Sequence, residues 1–387
     1  MNTFRRDASS ACALTLKTVA LAATLSASSV ALAAENGNQR YSPGVGGSDM
    51  TSPLVPGWYG QVAMVAYHAN KIKGNDGKQL AKTGNISQVQ LAANPLTAAA
   101  APAFSGGINY NSKIGIKADT YAILPRITYL SSEQVLGGNV GFTAMLPLVR
   151  RKIQLAGETP AFTPGAGSAA PAVPGNLAAG LSPTILGRIA TNSAAYGIGD
   201  LELSPIWHME IGDHQHVSVA PTIVIPTGDY DATTRANSGF GNFYTFRPSV
   251  QYAFVGDGWD VGARFVLSFN TRNKDNGYRT GNILNIDYQA MKFVTEDIRV
   301  GLQGYVVEQF TKDSQDLTGY SPAQQTALAT SSDLSTGNKM RAYAAGPAVA
   351  WLANGGEFLL EGKFLKEFGA KNRTEGQAFW LTLSKPL

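Results

Sequence analysis

Val261-Gly262-Ala263-Arg264-Phe265-Val266-Leu267-Ser268-Phe269-Asn270 alternates two kinds of side chain. In an extended chain successive side chains point to opposite sides, so Val261, Ala263, Phe265, Leu267 and Phe269 share one face. Gly262, Arg264, Val266, Ser268 and Asn270 share the other. The preceding segment repeats the scheme, with Tyr244, Phe246, Pro248, Val250, Tyr252 and Phe254 opposed to Phe243, Thr245, Arg247, Ser249, Gln251 and Ala253. Leu284, Ile286, Tyr288 and Ala290 against Asn285, Asp287 and Gln289 continue it downstream. One face of each segment suits lipid and the other suits water.

Working outward from this stretch, twelve such segments are found, at about 57–67, 120–130, 139–149, 199–211, 214–226, 242–254, 258–270, 281–293, 297–309, 340–352, 356–368 and 375–387. A soluble sandwich also alternates, so the connections decide. They run 52, 8, 49, 2, 15, 3, 10, 3, 30, 3 and 6 residues, every second one short. Short periplasmic turns against long external loops, with an even strand count, describe an all-β transmembrane antiparallel up-and-down barrel of about 12 strands. The segments also exceed the five or six residues usual for globular strands and match a tilted membrane crossing. Four of the five short turns contain glycine, at Gly137-Gly138, Gly212, Gly256 and Gly355, as tight hairpins require. Aromatic residues near segment ends, among them Trp58, Tyr59, Tyr67, Tyr121, Tyr129, Trp207, Trp351, Phe368, Phe379 and Trp380, are expected to form interfacial girdles.

Residues 1–34 read as an export signal, with Arg5 and Arg6 ahead of an apolar run and Ala31-Leu32-Ala33 as a small-x-small cleavage site. The single cysteine, Cys12, lies in that segment, so the mature chain is expected to hold no disulfide, thiolate metal site or cysteine-linked lipid. No later run of about 18 apolar residues is present, which excludes a helical membrane protein. The formal charge of +4 falls to about +2 without the signal, and charged residues are only 15% of the chain, so there is no nucleic-acid footprint. The expected organisation is signal 1–34, an N-terminal periplasmic segment or lumen plug at 35–56, and a barrel at 57–387. The expected location is the bacterial outer membrane.

The segment 35–56 is rich in Gly, Pro and Ser. It is expected either to thread into the lumen, with Tyr41, Val45, Leu54 and Val55 as an apolar foothold, or to hang as a tether. The lumen-facing candidates are Arg126, Arg247, Gln251, Arg264, Asp287, Gln289, Gln303, Glu361 and Lys363, which either line a solute path or pair across the lumen to brace the barrel. Two external loops are unusual for water-facing chain, since 91–104 is nearly all Ala, Pro and Leu and 161–179 is rich in Ala, Gly and Pro. They either fold into the mouth as an apolar entry or stay loose.

His208, His214 and His216 cluster at one turn, which is read as a wet interfacial site rather than a zinc centre. Asp229 and Asp231 lack an evident third ligand for a cation. No strand presents a serine, histidine and orienting acid together, so no catalytic residue, cofactor or metal is assigned and the chain is read as not an enzyme.

Several spaced motifs resemble a known family. These are Tyr41-Ser42-Pro43-Gly44, Pro56-Gly57-Trp58-Tyr59, Leu136-Gly137-Gly138, Gly199-Asp200-Leu201, Pro226-Thr227-Gly228-Asp229-Tyr230-Asp231, Gly346-Pro347, Lys366-Glu367, Asn372-Arg373 and Gly376. Together they resemble the meta-pathway phenol-degradation family of outer-membrane β-barrel proteins. The resemblance implies a channel for passive uptake of small apolar or aromatic compounds, linked to aromatic catabolism. The expected partners are outer-membrane lipid, the small solute and the barrel-assembly machinery. A structural or adhesive surface barrel acting through its long loops is the alternative, with an outer-membrane enzyme third.

Overall fold

The computed structural model describes residues 39–52, 54–322, 325–326, 339–353 and 356–387. The expected signal at 1–34 lies outside the described residues.

Twelve antiparallel strands close on themselves: β1 (Gly57–Lys73), β3 (Ile108–Val135), β4 (Gly138–Met145), β8 (Leu201–Ile211), β9 (Gln215–Ile225), β10 (Thr245–Gly256), β11 (Trp259–Asn270), β13 (Ile283–Phe293), β14 (Ile298–Gln309), β16 (Arg341–Ala353), β17 (Phe358–Lys371) and β18 (Arg373–Pro386); the short strands β12 (Tyr278–Arg279) and β15 (Ser314–Gln315) pair with each other in the external loops. Each pairs with its neighbour around the barrel, and β1 pairs with both β3 and β18, so none of the twelve is left as a sheet edge. Side chains obey the alternation of the sequence. Along β11, Val261, Phe265 and Phe269 are exposed while Asp260, Gly262, Val266, Ser268 and Asn270 are buried.

The exposed face is an apolar band with aromatic residues at both rims. Trp58, Tyr129 and Phe142 pack together at the periplasmic rim, and Phe246 with Phe269 and Tyr343 with Phe368 pack at the external one. A closed barrel with such a band spans the bacterial outer membrane. Three expected girdle residues turn inward instead. Tyr67 bonds the luminal Glu367 at 2.8 Å, Tyr59 bonds Val55, and Trp380 is buried, because each occupies the inward parity of its strand.

The turns also differ in detail. At the β10–β11 hairpin the left-handed residues are Asp257 (φ 53°) and Gly258 (φ 75°), the pair a two-residue turn of this hand needs, while Gly256 ends the strand. The expected six-residue external loop before the last strand is absent: β17 and β18 are separated by Asn372 alone, at φ 51°.

The two unusual loops are folded. The first carries β2 (Ala81–Ile86) and a short helix, Gln88–Ala93, whose Ser87 and Gln90 cap each other. The second continues β4 past Leu146-Pro147 into β5 (Leu148–Gly157), then forms β6 (Ala161–Pro164), the helix Gly175–Ile189 and β7 (Thr191–Ile198), which runs into β8 past Gly199-Asp200. β5 pairs with the outer half of β3, so the wall rises beyond the rest of the barrel on this side. The two apolar runs pack on each other: Leu91, Ala101, Phe104 and Ile108 meet Leu177 and Leu181. Ile185 and Ile189 of the longer helix lie against Ala69, Ile72, Ile114, Ile116, Ala118, Ile153 and Leu155, which sit at inward parity on β1, β3 and β5. The cap therefore lines the inner side of the raised external wall with apolar side chains.

Candidate functional site

The lumen is occupied by residues 39–52, which descend from the external mouth toward the periplasmic end. The order of the partners shows the direction. Arg40 lies beside Asp200 and the loop after β9, Tyr41 meets Asp287 of β13, and Met50 meets His216 and Gln251 near the periplasmic hairpins.

Arg40 is almost fully buried. Its guanidinium pairs with Asp200 at 3.0 Å, donates to the carbonyls of Gly241 and Phe243, and lies 3.8 Å above the Phe243 ring. Asp200 in turn accepts from the backbone N–H of Gly228 and Phe240, at 3.0 and 3.2 Å. Two of the spaced motifs, Gly199-Asp200-Leu201 and the run 226–231, are thus joined to the plug through one carboxylate. Burial pulls the Arg40 guanidinium down to about 10, still far enough above neutral to stay charged.

Below it the glycines of the plug lie directly on luminal acids. Asp287 accepts from the Tyr41 hydroxyl (2.6 Å) and from the N–H of Gly44 and Gly46 (both 2.8 Å). Glu361 accepts from the Ser48 N–H at 2.7 Å and from Gln303 at 2.7 Å, while Lys363 donates to the Gly46 carbonyl at 2.7 Å and pairs with Glu361 at 3.2 Å. A Cβ on Gly47 would stand 2.1 Å from a Glu361 oxygen, so glycine lets the backbone approach without displacing that side chain. Gln303 also bonds Gln289, which donates to the Thr51 hydroxyl at 3.0 Å. Asp49 faces Arg264 at 3.2 Å and Arg126 at 3.7 Å, Gln251 donates to the Met50 carbonyl at 2.7 Å, and Arg247 reaches the Arg40 carbonyl at 3.3 Å.

All nine lumen-facing candidates therefore point inward, and every one contacts the plug or a partner of the plug. Of the expected footholds, Tyr41 and Val45 are buried and Leu54 half-buried, whereas Val55 is 63% exposed and belongs to the run-in to β1. Sequence reading assigned no luminal role to Arg40, Glu202, Asp260 and Arg299, nor to Asp200, Glu367 and Arg373, which it singled out only as motif residues. Arg247 pairs with Glu202, Arg299 with Asp260 and Arg373 with Glu367. Inward parity marks most of these acids and bases, and that signal was available. Glu367 accepts from Tyr67, Tyr305, Arg373 and the Gly376 N–H, which accounts for the spacing of Glu367, Arg373 and Gly376.

Beside the plug a cavity of about 170 Å³ remains on the β3, β4 and β8–β11 side. Hydroxyls of Thr128, Thr143, Ser204, Ser218, Thr222 and Ser249 line it with Arg126, Arg247 and Arg264, and Met145, Ile206, Ala220 and Val266 supply apolar wall. Most of the residues that line it are polar, as expected of the inward side of the strands.

The three histidines do not converge. His214 bonds the Val255 carbonyl, while His216 bonds the Met50 carbonyl and stands 5.1 Å, ring to ring, from His208. Among the described residues no three His, Cys, Asp or Glu side chains are grouped to hold a metal ion. Asp231 is engaged by the Thr233 hydroxyl and N–H, and these bonds hold its carboxyl below the ordinary range. No one strand carries a serine, histidine and acid in sequence as a set, but across two strands Ser218 of β9 and His208 and Glu210 of β8 form a line at 2.8 and 2.9 Å.

No curated protein matches this sequence. Among solved structures, an outer membrane channel from Pseudomonas putida F1 aligns over 89% of this chain and 100% of its own, with a TM-score of 0.57 and 11% identity, a likeness of fold. A FadL homologue from Pseudomonas aeruginosa (8% identity, 85% and 90% of the two chains, TM-score 0.35) and the CymD monoaromatic hydrocarbon channel (10%, 92% and 98%, 0.33) are too distant to bear on this chain. The family model described as "Putative MetA-pathway of phenol degradation" matches residues 99–383. That match spans well over half of the sequence, and the chain belongs to this family.

Proposed function

We propose that this barrel is a channel for passive entry of small apolar or aromatic molecules and is not an enzyme. The observation that carries the reading is the apolar cap on the inner side of the raised external wall, set above a lumen in which residues 39–52 leave a cavity of about 170 Å³. An apolar solute gains by leaving water for the cap, roughly 25 cal/mol per Å² buried, whereas a sugar loses its hydration there. The cavity is of the order of the roughly 150 Å³ that holds one benzene ring, and its hydroxyls and arginines suit a ring bearing a polar group such as phenol. The nine inward residues act on the solute by holding the plug and so setting the free width. The test is uptake of labelled phenol by cells with and without the protein, with a small sugar alongside. Faster phenol entry with unchanged sugar entry supports the reading. Equal acceleration of both makes the barrel a general pore, and no change in either removes transport.

A second reading, hydrolysis, is favoured by the line Ser218, His208 and Glu210, which has the order nucleophile, base and orienting acid. It ranks below transport because Ser218 is one of seven serine and threonine hydroxyls lining the cavity alike and Glu210 is half exposed. Ester hydrolysis by the purified barrel that Ser218→Ala abolishes is the result that reverses the order.

A further inference from the structure

On the lipid-facing wall, where β5 and β7 extend the barrel, lies an open groove of about 620 Å³. Its floor is apolar, formed by Met64, Ile123, Leu148, Ile198 and Leu381. Arg150 closes its external end. In the strand register Arg150 stands between Tyr121 on β3 and Tyr196 on β7, the latter 85% exposed. Two residues further out on β5 is Lys152, about 7 Å along the strand, and Lys117 lies diagonally across from it on β3. All three cations are exposed and make no hydrogen bond or ion pair among the described residues. The acid nearest to them in register, Asp119, is bonded to His68 at 2.6 Å.

At the level of the aromatic rim, cations without a protein partner attract the anionic head groups of the surrounding leaflet. A groove for a chain below, aromatic rings at its sides and three cations above match one kind of occupant, an amphiphile with phosphate at its head and acyl chains beneath. We propose that this groove binds a phosphorylated glycolipid of the outer leaflet, with an acyl chain between Ile123 and Ile198 and a head phosphate held by Arg150, Lys152 and Lys117. The lipid is supplied by the membrane itself, and the site is independent of the luminal cavity and its solute. Arg150 gives a bidentate charge-assisted contact, and the lysines add point charges.

The test uses the purified full barrel in mild detergent, with lipid A as the probe and native mass spectrometry as the readout. Binding of one lipid A with at least ten-fold preference over its dephosphorylated form supports the site. So does a ten-fold or greater loss of lipid A affinity in Arg150→Gln with Lys152→Gln, with Lys366→Gln, an outward lysine on β17, unchanged. Ala66→Trp, which fills the groove and keeps the cations, weakens binding as well. Equal binding of the phosphorylated and dephosphorylated lipids by the unaltered protein overturns the proposal without any variant having to fold. Equal loss in the Lys366→Gln protein overturns it too, since general surface charge then accounts for the binding.

Discussion

At the scale of single residues, backbone replaces side chain in the contacts that hold residues 39–52 inside the lumen. Gly44, Gly46 and Gly47 let peptide N–H groups reach the carboxylates of Asp287 and Glu361 directly, and each such bond to an ionised group is worth about 1.5–3 kcal/mol net. In Gly47→Ala the new methyl has to push Glu361 away from the Ser48 N–H and from Gln303, an overpacking cost of about 1–3 kcal/mol. The expected outcome is a plug that detaches more often, read as a higher open fraction in single-channel recordings and faster proteolysis within 39–52. The barrel itself melts unchanged, because its strand ladders are untouched. An unaltered open fraction removes Gly47 from the account. The inward positions of Asp287 and Glu361 were legible from strand parity alone. Their partners were not, since a Gly- and Pro-rich segment has no period from which a contact is read, and Arg40 and Asp49 lie within it.

At the scale of elements, all twelve crossings were legible because lipid on one side and a polar lumen on the other impose a period of two. What failed to show were the places where another requirement wins. Pro125 and Pro147 sit where β3 faces the break between β4 and β5, and neither residue has an N–H to give the ladder. The break at Leu146-Pro147 thus divides what alternation joined into one segment. The helix Gly175–Ile189 was hidden by Pro183 and by its small residues, and it holds its place through Leu177, Leu181, Ile185 and Ile189 on one face. Its stability comes from packing against the other loop, so the two loops stand or fall together. Phe104 is 1% exposed at their contact, and Phe104→Ala is expected to cost the cap about 3–5 kcal/mol. Hydrogen exchange and protease cleavage in 74–107 and 158–190 then rise together while the barrel strands stay protected. Cleavage confined to the first loop shows that the cap is not one unit.

At the scale of the whole molecule, the plug and the lumen neutralise each other. Arg126 and Arg264 both face Asp49, and without that carboxylate they face one another; Asp287 and Glu361 lose four backbone and hydroxyl donors together. Water replaces those partners once the segment is gone, as it does for exposed charges elsewhere, so the loss is modest for the fold. The strand ladders close without any contribution from 39–52, and a closed ladder is what a membrane barrel requires. Deletion of 39–52 is therefore expected to leave a folded barrel, seen as unchanged heat-modifiable mobility. It widens the lumen to that of an open twelve-stranded barrel, raising conductance several-fold. Selectivity separates two roles for the segment. If the plug sets the free width, sugar entry rises to match phenol entry in the deleted protein. If phenol keeps its advantage over sugar, discrimination lies in the apolar cap, and Phe104→Ala rather than the deletion is the change that erases it.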